Sequence, residues 1–337
     1  MKTVLLAAGF GSRLWPLSTS DKPKQFQPLI NGKSLLQYSY DLTAKATAVA
    51  DIFVLGLAGM EHLIHQAIPE IGANNIILVP ARRNTLPHTL WALAAIAADG
   101  DEPVVFKGTD LYISNPEEFT SGFKHALASY SAQPPALSLL GTPYQTYNAN
   151  DGYCLVDKNN HITSLLEKPT QATLEAASQD SQVYRSPFMY IATKNILAAA
   201  LQAMNEDWLD DAHVVLKGNS SQKEAFLRLP FMDISSSLFS QAHSMKLLEV
   251  DCDFLDVGRF QAVYQLNTKD SAGNVLLGNI IVADDCHNNL IINQIDRPLV
   301  IINQRDMVIV QTAAGSLAAP FDRVSEVGEI YKSRIHN

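Results

Sequence analysis

Cysteine is scarce in this chain of 337 residues: Cys154, Cys252 and Cys286 are odd in number and far apart. A disulfide framework is thereby excluded, and reduced thiols in a cytoplasmic protein are expected. No CxxC and no paired-histidine pattern marks a zinc site, since His62 and His65 have no Cys or carboxylate companion at ligand spacing. Positive charge is also short. The chain has 25 Lys and Arg against 34 Asp and Glu, a formal charge of −9, and no basic run exceeds Arg82-Arg83. Nucleic acids and anionic membranes both require a basic face, so neither is expected as a partner. No apolar run reaches the ~18–20 residues of a membrane span. No signal peptide is visible, because Met1-Lys2 leads directly into a strand pattern. Nor is there an evident Ser–His or Cys–His arrangement for nucleophilic catalysis.

What is present begins at the amino terminus. Val4-Leu5-Leu6 reads as a buried strand, and LAAGFGSRLWP follows from Leu6 to Pro16, then PKQF from Pro23 to Phe26. Glycines at 9 and 11 let backbone N–H groups approach a phosphate, and such concave backbone binds anions. Arg13 adds a planar guanidinium fork and Lys24 a mobile point charge. Together they suggest a site that holds a nucleoside triphosphate and neutralises developing negative charge. Two other phosphate loops are excluded. Leu14 stands where a dinucleotide fingerprint needs its third glycine, and Gln27 stands where Gly32-Lys33-Ser34 would need the first glycine of a P-loop. Residues 31–34 instead read as a turn in which Ser34 caps a helix starting at Leu35.

The order of elements predicts an α/β fold. Strands are expected at Val4–Ala8, Ile52–Leu57, Asn75–Val79, Pro103–Lys107 and Ala136–Gly141. Helices near Leu35–Ala48, Met60–Ile71, Thr89–Ala98 and Pro116–Ser131 fall between them. This alternation argues a mainly parallel sheet, Rossmann-like, with ligands beyond the carboxyl ends of its strands. Gly9–Arg13 and Asp110 each follow a strand, so they are expected on one rim. Extended pieces at Gly152–Val156, Ile162–Leu166 and Phe188–Ala192 come next, with a helix near Gln171–Ser178. Helices are then expected around Lys194–Met204, Ala212–Leu216 and Ser220–Arg228. A short strand at 247–250 and a helix over Arg259–Gln265 complete the large domain. After about Asp270 the runs are short and β-rich: Val275–Leu277, Ile280–Val282, Leu290–Ile292, Leu299–Ile302 and Met307–Gln311. Asp284-Asp285-Cys286-His287 there reads as a solvated turn.

The loop with its PKQF resembles the signature of sugar nucleotidyltransferases. Trp15-Pro16 and Lys24-Gln25-Phe26 point within them to the mannose-1-phosphate guanylyltransferase family. The resemblance runs on through Arg83-Asn84-Thr85 with Pro87, Asp110, Glu167-Lys168-Pro169, Asp256-Val257-Gly258, Gly273-Asn274-Val275 and a helix from Asp322. It implies a catalytic domain over 1–268 and, over 269–337, a short left-handed β-helix closed by a helix at Asp322–Lys332. The implied reaction is attack of a sugar 1-phosphate on the α-phosphorus of GTP, giving GDP-mannose and pyrophosphate. Arg13 and Lys24 would be the catalytic residues. Leu6, Ala8, Gly9, Gly11, Ser12, Arg83, Asn84 and Thr85 would line the nucleotide. Gly152, Glu167, Lys168 and Arg185 would line the sugar phosphate, and Asp110 and Asp256 would hold Mg²⁺ or Mn²⁺. Each aspartate also fits a bland role, Asp256 as a helix cap and Asp110 as the cap of a turn. A homodimer through the β tail is a further expectation.

Departures from the family pattern gather around the sugar. Gly108-Thr109-Asp110-Leu111 replaces Pro-Ala-Asp-His, and Tyr184-Arg185-Ser186-Pro187 replaces Trp-Asn-Ser-Gly. Asp233-Ile234-Ser235-Ser236 replaces Ser-Ile-Asp-Tyr, moving the carboxylate by two places, and Ala8 replaces the first glycine of Ala-Gly-Gly. Acceptor specificity is therefore expected to differ from the family more than nucleotide specificity does. A different hexose or heptose 1-phosphate, or a non-catalytic paralogue that binds nucleotide sugar, are the competing readings. Arg185 itself could meet an anionic group on a modified sugar or form a salt bridge within the fold.

Overall fold

The computed structural model describes residues 1–337 except 134, 180, 240–244, 280, 336 and 337. The chain divides into two compact units, one of residues 1–8 and 39–254, the other of residues 9–38 and 255–337.

The larger unit is built on one twisted sheet. Its strands are β1 (Lys2–Leu6), β2 (Ile52–Leu57), β3 (Ile76–Val79), β4 (Val104–Gly108), β6 (Ser138–Pro143), β7 (Gly152–Val156), β8 (Ile162–Glu167), β9 (Gln182–Ala192) and β10 (Lys246–Glu249), while the short β5 (Leu111–Ile113) lies outside it. The main path runs β10-β6-β9-β4-β1-β2-β3, and β7 and β8 extend it beside β9. β3, β2, β1 and β4 are parallel neighbours, β6 and β10 likewise, and β9 runs against β4 and β6. Helices α1 (Leu35–Ala44), α2 (Glu61–Ala67), α3 (Thr85–Ile96), α4 (Pro116–Ser131) and α5 (Gln171–Ala177) fall between these strands, and α6 (Lys194–Gln202), α7 (Leu209–Lys217), α8 (Gln222–Arg228) and α9 (Ile234–Ser237) follow one another between β9 and β10. Val4, Val104 and Phe106 turn one face of the sheet into a core with Leu86, Leu90 and Leu93 of α3 and Leu197 and Leu201 of α6. Apolar residues on both faces are what a covered parallel sheet needs. The mainly parallel α/β reading is thus correct.

Boundaries moved where side-chain chemistry overrode periodicity. The third helix, α3, starts at Thr85, four residues before the expected Thr89, because the Asn84 side chain accepts from the Thr85 N–H and caps it. Pro87 is tolerated in that first turn, where its missing N–H has no helical partner to lose. β9 begins at Gln182 instead of Phe188, its first half disguised by polar residues and Pro187. The helix expected over 35–48 stops at Ala44.

In the second unit, a loop region over 9–34, before the start of α1, holds two short 3₁₀ turns, Ser12–Leu14 and Lys24–Phe26. Ser34 Oγ accepts from the Gln37 N–H at 3.1 Å, the cap expected there. The unit continues with the end of β11 (Phe254–Asp256), α10 (Phe260–Leu266), and strands β12 (Val275–Gly278), β13 (Ile281–Asp284), β14 (Leu290–Asn293), β15 (Leu299–Ile302), β16 (Met307–Thr312) and β17 (Gly315–Pro320). β12, β14 and β16 form one parallel ladder and β13 and β15 a second, the repeated coils of a small β domain. Asn274 and Asn289 stack inside it: the Asn289 N–H and amide both donate to Asn274 Oδ1 at 3.0 Å. The strand expected from Ile280 is described from Ile281, Ile280 lying outside the described residues. β17, rich in Gly and Ala, carries no strand pattern, yet it pairs antiparallel with β16. The closing helix is broken into a 3₁₀ turn at Val324–Glu326, α11 (Val327–Ile330) and a π turn at Tyr331–Ile335. Asp284–His287 is a turn between β13 and β14, with Asp285 at φ 47°.

Candidate active site

Within the second unit the phosphate-type loop is tightly built. Gly11 sits at φ 75° and ψ 42°, a left-handed conformation costly for any other residue. A Cβ there would also lie 2.8 Å from Cγ and Cδ of Lys24, so the lysine stem rests directly on the loop backbone. Gln25 Nε2 donates to the Gly9 carbonyl at 3.1 Å and ties the PKQF turn to the loop a second time. Leu14 and Leu17 are buried and anchor the segment. Arg13 extends toward Gly258, where a Cβ would sit 3.4 Å from Nη2 and 2.8 Å from Oδ1 of Asp256. Gly9, Gly11, Ser12, Arg13, Lys24 and Asp256 therefore belong to one neighbourhood of one unit. Arg259 joins them: burial lowers its pKa, and the nearby Arg13 lowers it further while Asp256 opposes that shift. A second guanidinium close enough to lower that of Arg259 makes a site suited to a polyanion. Sequence reasoning missed Arg259, which it took for the start of a helix. α10 starts at Phe260 with Arg259 at its N-cap and no side-chain cap, so Asp256 does not serve as that cap.

In the larger unit, β1 and β4 end side by side, Leu6 opposite Gly108. Thr109 Oγ1 donates to the Leu6 carbonyl at 3.1 Å, which brings Leu6 and Asp110 to the same rim. Beneath Asp110 is a fully buried lysine, Lys107, whose ammonium donates to Ser39 Oγ at 2.5 Å. Burial lowers its pKa to about 8, and the Asp110 carboxylate pulls in the opposite direction. Ala8 is buried next to this rim.

Arg83, Asn84 and Thr85 lie at the head of α3. Arg83 Nη2 donates to the Leu227 carbonyl at 2.6 Å, and His88 Nε2 accepts from the Arg83 N–H at 3.3 Å. Burial lowers the His88 pKa to about 4, so its imidazole is neutral.

Gly152, Glu167 and Arg185 are brought together by strand register. Gly152 pairs with Glu167 across β7–β8 and with Ser186 across β7–β9, and Arg185 is opposite Tyr153. Glu167 and Lys168 are exposed and contact one another, and Lys168 adopts φ 47°. Arg185 is engaged within the fold. Its Nε donates to Asp151 Oδ2 at 2.8 Å, its Nη2 to the Phe254 carbonyl at 3.1 Å, and its guanidinium lies 4.3 Å from the Phe254 ring centre. Asp151, absent from the expected site, immediately precedes Gly152. Burial raises its pKa and Arg185 opposes the rise. Its signal would have been a carboxylate at the start of a buried strand, which must find a cation.

Each unit offers an oxygen donor of the kind a hard cation takes. Asp110 and Asp256 offer carboxylate oxygens, whereas burial pushes the thiols of Cys154 and Cys252 up to about 12 and keeps them protonated. Among the described residues no three or more His, Cys, Asp or Glu side chains gather as a metal cage. Mg²⁺ does not need one, taking one or two carboxylates with phosphate oxygens and waters.

Residues 2–273 match the family model for nucleotidyl transferases. The chain belongs to the nucleotidyl transferase family. Among curated members, mannose-1-phosphate guanylyltransferase RfbM of Salmonella typhimurium is 27% identical over 97% of this chain and 71% of its own length. The mannose-1-phosphate guanylyltransferase of Klebsiella pneumoniae is 26% identical over 96% of this chain and 72% of its own. A solved structure from Thermus thermophilus, described as a mannose-1-phosphate geranyltransferase, shares the fold with a TM-score of 0.80. It covers 100% of this nucleotidyl transferase chain and 99% of its own, at 23% identity. No described helix is long and apolar enough to cross a membrane.

Proposed function

We propose that this nucleotidyl transferase joins GTP and mannose 1-phosphate, releasing GDP-mannose and pyrophosphate. The observation that carries the reading is the loop in which Gly11 admits the Lys24 stem beside Arg13, in a chain whose curated relatives include mannose-1-phosphate guanylyltransferases. An oxygen of the sugar phosphate attacks the α-phosphorus, and the bond from that phosphorus to the bridging oxygen of the β-phosphate breaks. Both reactants are polyanions, so the protein's work is alignment and charge neutralisation, without a nucleophilic side chain. Arg13 and Lys24 take the charge that develops on the leaving pyrophosphate. Backbone N–H groups of Gly9, Gly11 and Ser12, after Leu6 and Ala8, hold phosphates, and Arg83, Asn84 and Thr85 meet the base. Gly152, Glu167 and Lys168 meet the sugar phosphate, and Arg185 borders it through its pair with Asp151. Mg²⁺ or Mn²⁺ held by Asp110 and Asp256 would supply charge neutralisation on the phosphates.

The proposal includes a boundary at 268/269 between catalytic and β domains, supported by the end of the family match at residue 273. It also includes a cytoplasmic location and a homodimer. Val282, Val300 and Ile302 support the dimer, being exposed apolar residues of the β13–β15 ladder. A second reading, transfer to a different hexose or heptose 1-phosphate, is favoured by the clustered departures from the family pattern at Leu111, Arg185, Pro187 and Ser235.

Variants test the assignment. Lys24→Ala and Arg13→Ala should fold normally and lose turnover by roughly 10²-fold or more, as expected when transition-state charge stabilisation is removed. Asp110→Ala and Asp256→Ala should also raise the Mg²⁺ concentration required. Wild-type rates in all four would refute the assignment.

A further inference from the structure

The segment Arg83–Thr85 holds a backbone conformation that its residues do not favour. Asn84 lies at φ 67° and ψ −168°, a region in which glycine alone is at ease. Strain of this kind persists only where surrounding contacts over-determine it, and it concentrates at ligand clamps. Here the contacts come from one short segment of the same unit. The Met232 N–H donates to the Arg83 carbonyl at 3.0 Å, and the Leu86 N–H donates to the Met232 carbonyl at 3.2 Å. Between them, Thr85 Oγ1 donates to Asp233 Oδ2 at 3.2 Å and accepts from the Ile234 N–H at 2.8 Å. The other oxygen of Asp233 accepts from the Ser235 N–H at 2.8 Å, the Ser236 N–H at 3.4 Å and the Ser235 hydroxyl. One carboxylate thus closes the start of α9 and grips the start of α3. From below, Thr89 Oγ1 donates to the Thr85 carbonyl at 2.7 Å and lies 2.6 Å from the hydroxyl of the fully buried Tyr190.

We propose that Asp233 is a positioning residue for the nucleotide base, fastening Thr85 so that the strained Asn84 and its neighbours present fixed polar groups to the base edge. The inference rests on the reading of residues 83–85 as the base contact. A cap for the four-residue helix α9 accounts for the bonds to Ser235 and Ser236 but not for the bond to Thr85, nor for the paired backbone bonds to Arg83 and Leu86. The displaced carboxylate of Asp233-Ile234-Ser235-Ser236 then serves the nucleotide side, although its sequence neighbourhood suggested the sugar.

The test combines equilibrium binding of a non-hydrolysable GTP analogue with steady-state kinetics on the full chain. Asp233→Ala should weaken analogue binding and raise KM for GTP by roughly tenfold, about 1.4 kcal/mol. KM for mannose 1-phosphate, and kcat at saturating GTP, should stay within about twofold. Asp233→Asn, which can still cap and still accept from Thr85, should recover most of the loss. Thr85→Val should reproduce the loss, and the double variant should be no worse than either single one, since both break one link. If Asp233→Ala does not fold, Asp233→Ser, which can still cap α9 but is too short to hold Thr85, decides by the same readouts. Earlier melting with unchanged GTP binding, or an equal rise in both KM values, would overturn the inference and leave the wider reading standing. A wild-type protein that binds no nucleoside triphosphate would overturn both.

Discussion

Arg185 and Asp151 form a bidentate-like pair on a single carboxylate oxygen, with Nε at 2.8 Å and Nη2 at 2.7 Å, and their side chains are only 11% and 3% exposed. Removing one member strands the other charge in a poorly hydrated place, which costs about 3–5 kcal/mol in comparable buried pairs. Arg185→Asn, the reversion toward the family pattern, should therefore lower the unfolding free energy by several kcal/mol of that range. Adding Asp151→Asn should restore most of it. Denaturant unfolding of the single and double variants checks this. Equal stability of Arg185→Asn and wild type would show the pair to be energetically idle.

Asn84 offers a second stability test. Replacing it with Ala keeps a Cβ at φ 67° and deletes the cap on the Thr85 N–H. Asn84→Ala should cost about 1–3 kcal/mol, and Asn84→Gly clearly less, because glycine relieves the strain while losing the same cap. Thermal melts that ranked glycine at or below alanine would contradict the strain.

Lys107 is held with a pKa of about 8, below the ordinary 10.5, chiefly by burial. The folded chain therefore resists protonating it. Its contribution to stability is fully present above pH 10.5 and is lost as pH falls through about 8. At neutral pH the buried ammonium is a burden, so Lys107→Met should raise stability by on the order of 1–4 kcal/mol. The gain should shrink at pH 9.5. Denaturant curves at the two pH values measure it, and a less stable methionine variant at pH 7 would contradict it.

His88 titrates with the same sign at lower pH. Its pKa falls from 6.5 to about 4 on folding, because burial disfavours the imidazolium. Stability from keeping it neutral is present above pH 6.5 and is lost as pH drops from there toward 4. His88→Gln should flatten that acid limb between pH 6.5 and 4 relative to wild type. Parallel limbs for the two proteins would show that other groups govern it.

Much of this is legible in the sequence alone. β2, α4 and β7 lie where periodicity put them, since each is a clean apolar pattern with turn residues at its ends. The glycine loop was legible because its chemistry is local: Gly11, Arg13 and Lys24 are close in sequence as well as in space. What stayed hidden depends on partners distant in the chain. Nothing near Asp151 announces Arg185, and nothing near Thr85 announces Asp233, 148 residues away. Arg185 read as a possible ligand contact because a lone sequence shows a cation without showing the carboxylate that holds it. β17 was missed because Gly and Ala carry little strand signal, and its pairing with β16 supplies the order that its composition does not.

Product analysis decides whether the protein joins GTP to mannose 1-phosphate. Purified protein is incubated with Mg²⁺ and each of GTP, ATP, CTP, UTP and dTTP against a panel of hexose and heptose 1-phosphates, and both pyrophosphate and nucleotide sugar are quantified. The expected result is equal amounts of pyrophosphate and GDP-mannose from GTP with mannose 1-phosphate, with other nucleotides slower by at least roughly tenfold, the ratio that about 1.4 kcal/mol of base discrimination gives. Saturable GTP binding without turnover on any acceptor would contradict the enzyme, and a stronger product signal from another sugar 1-phosphate would contradict mannose as its acceptor.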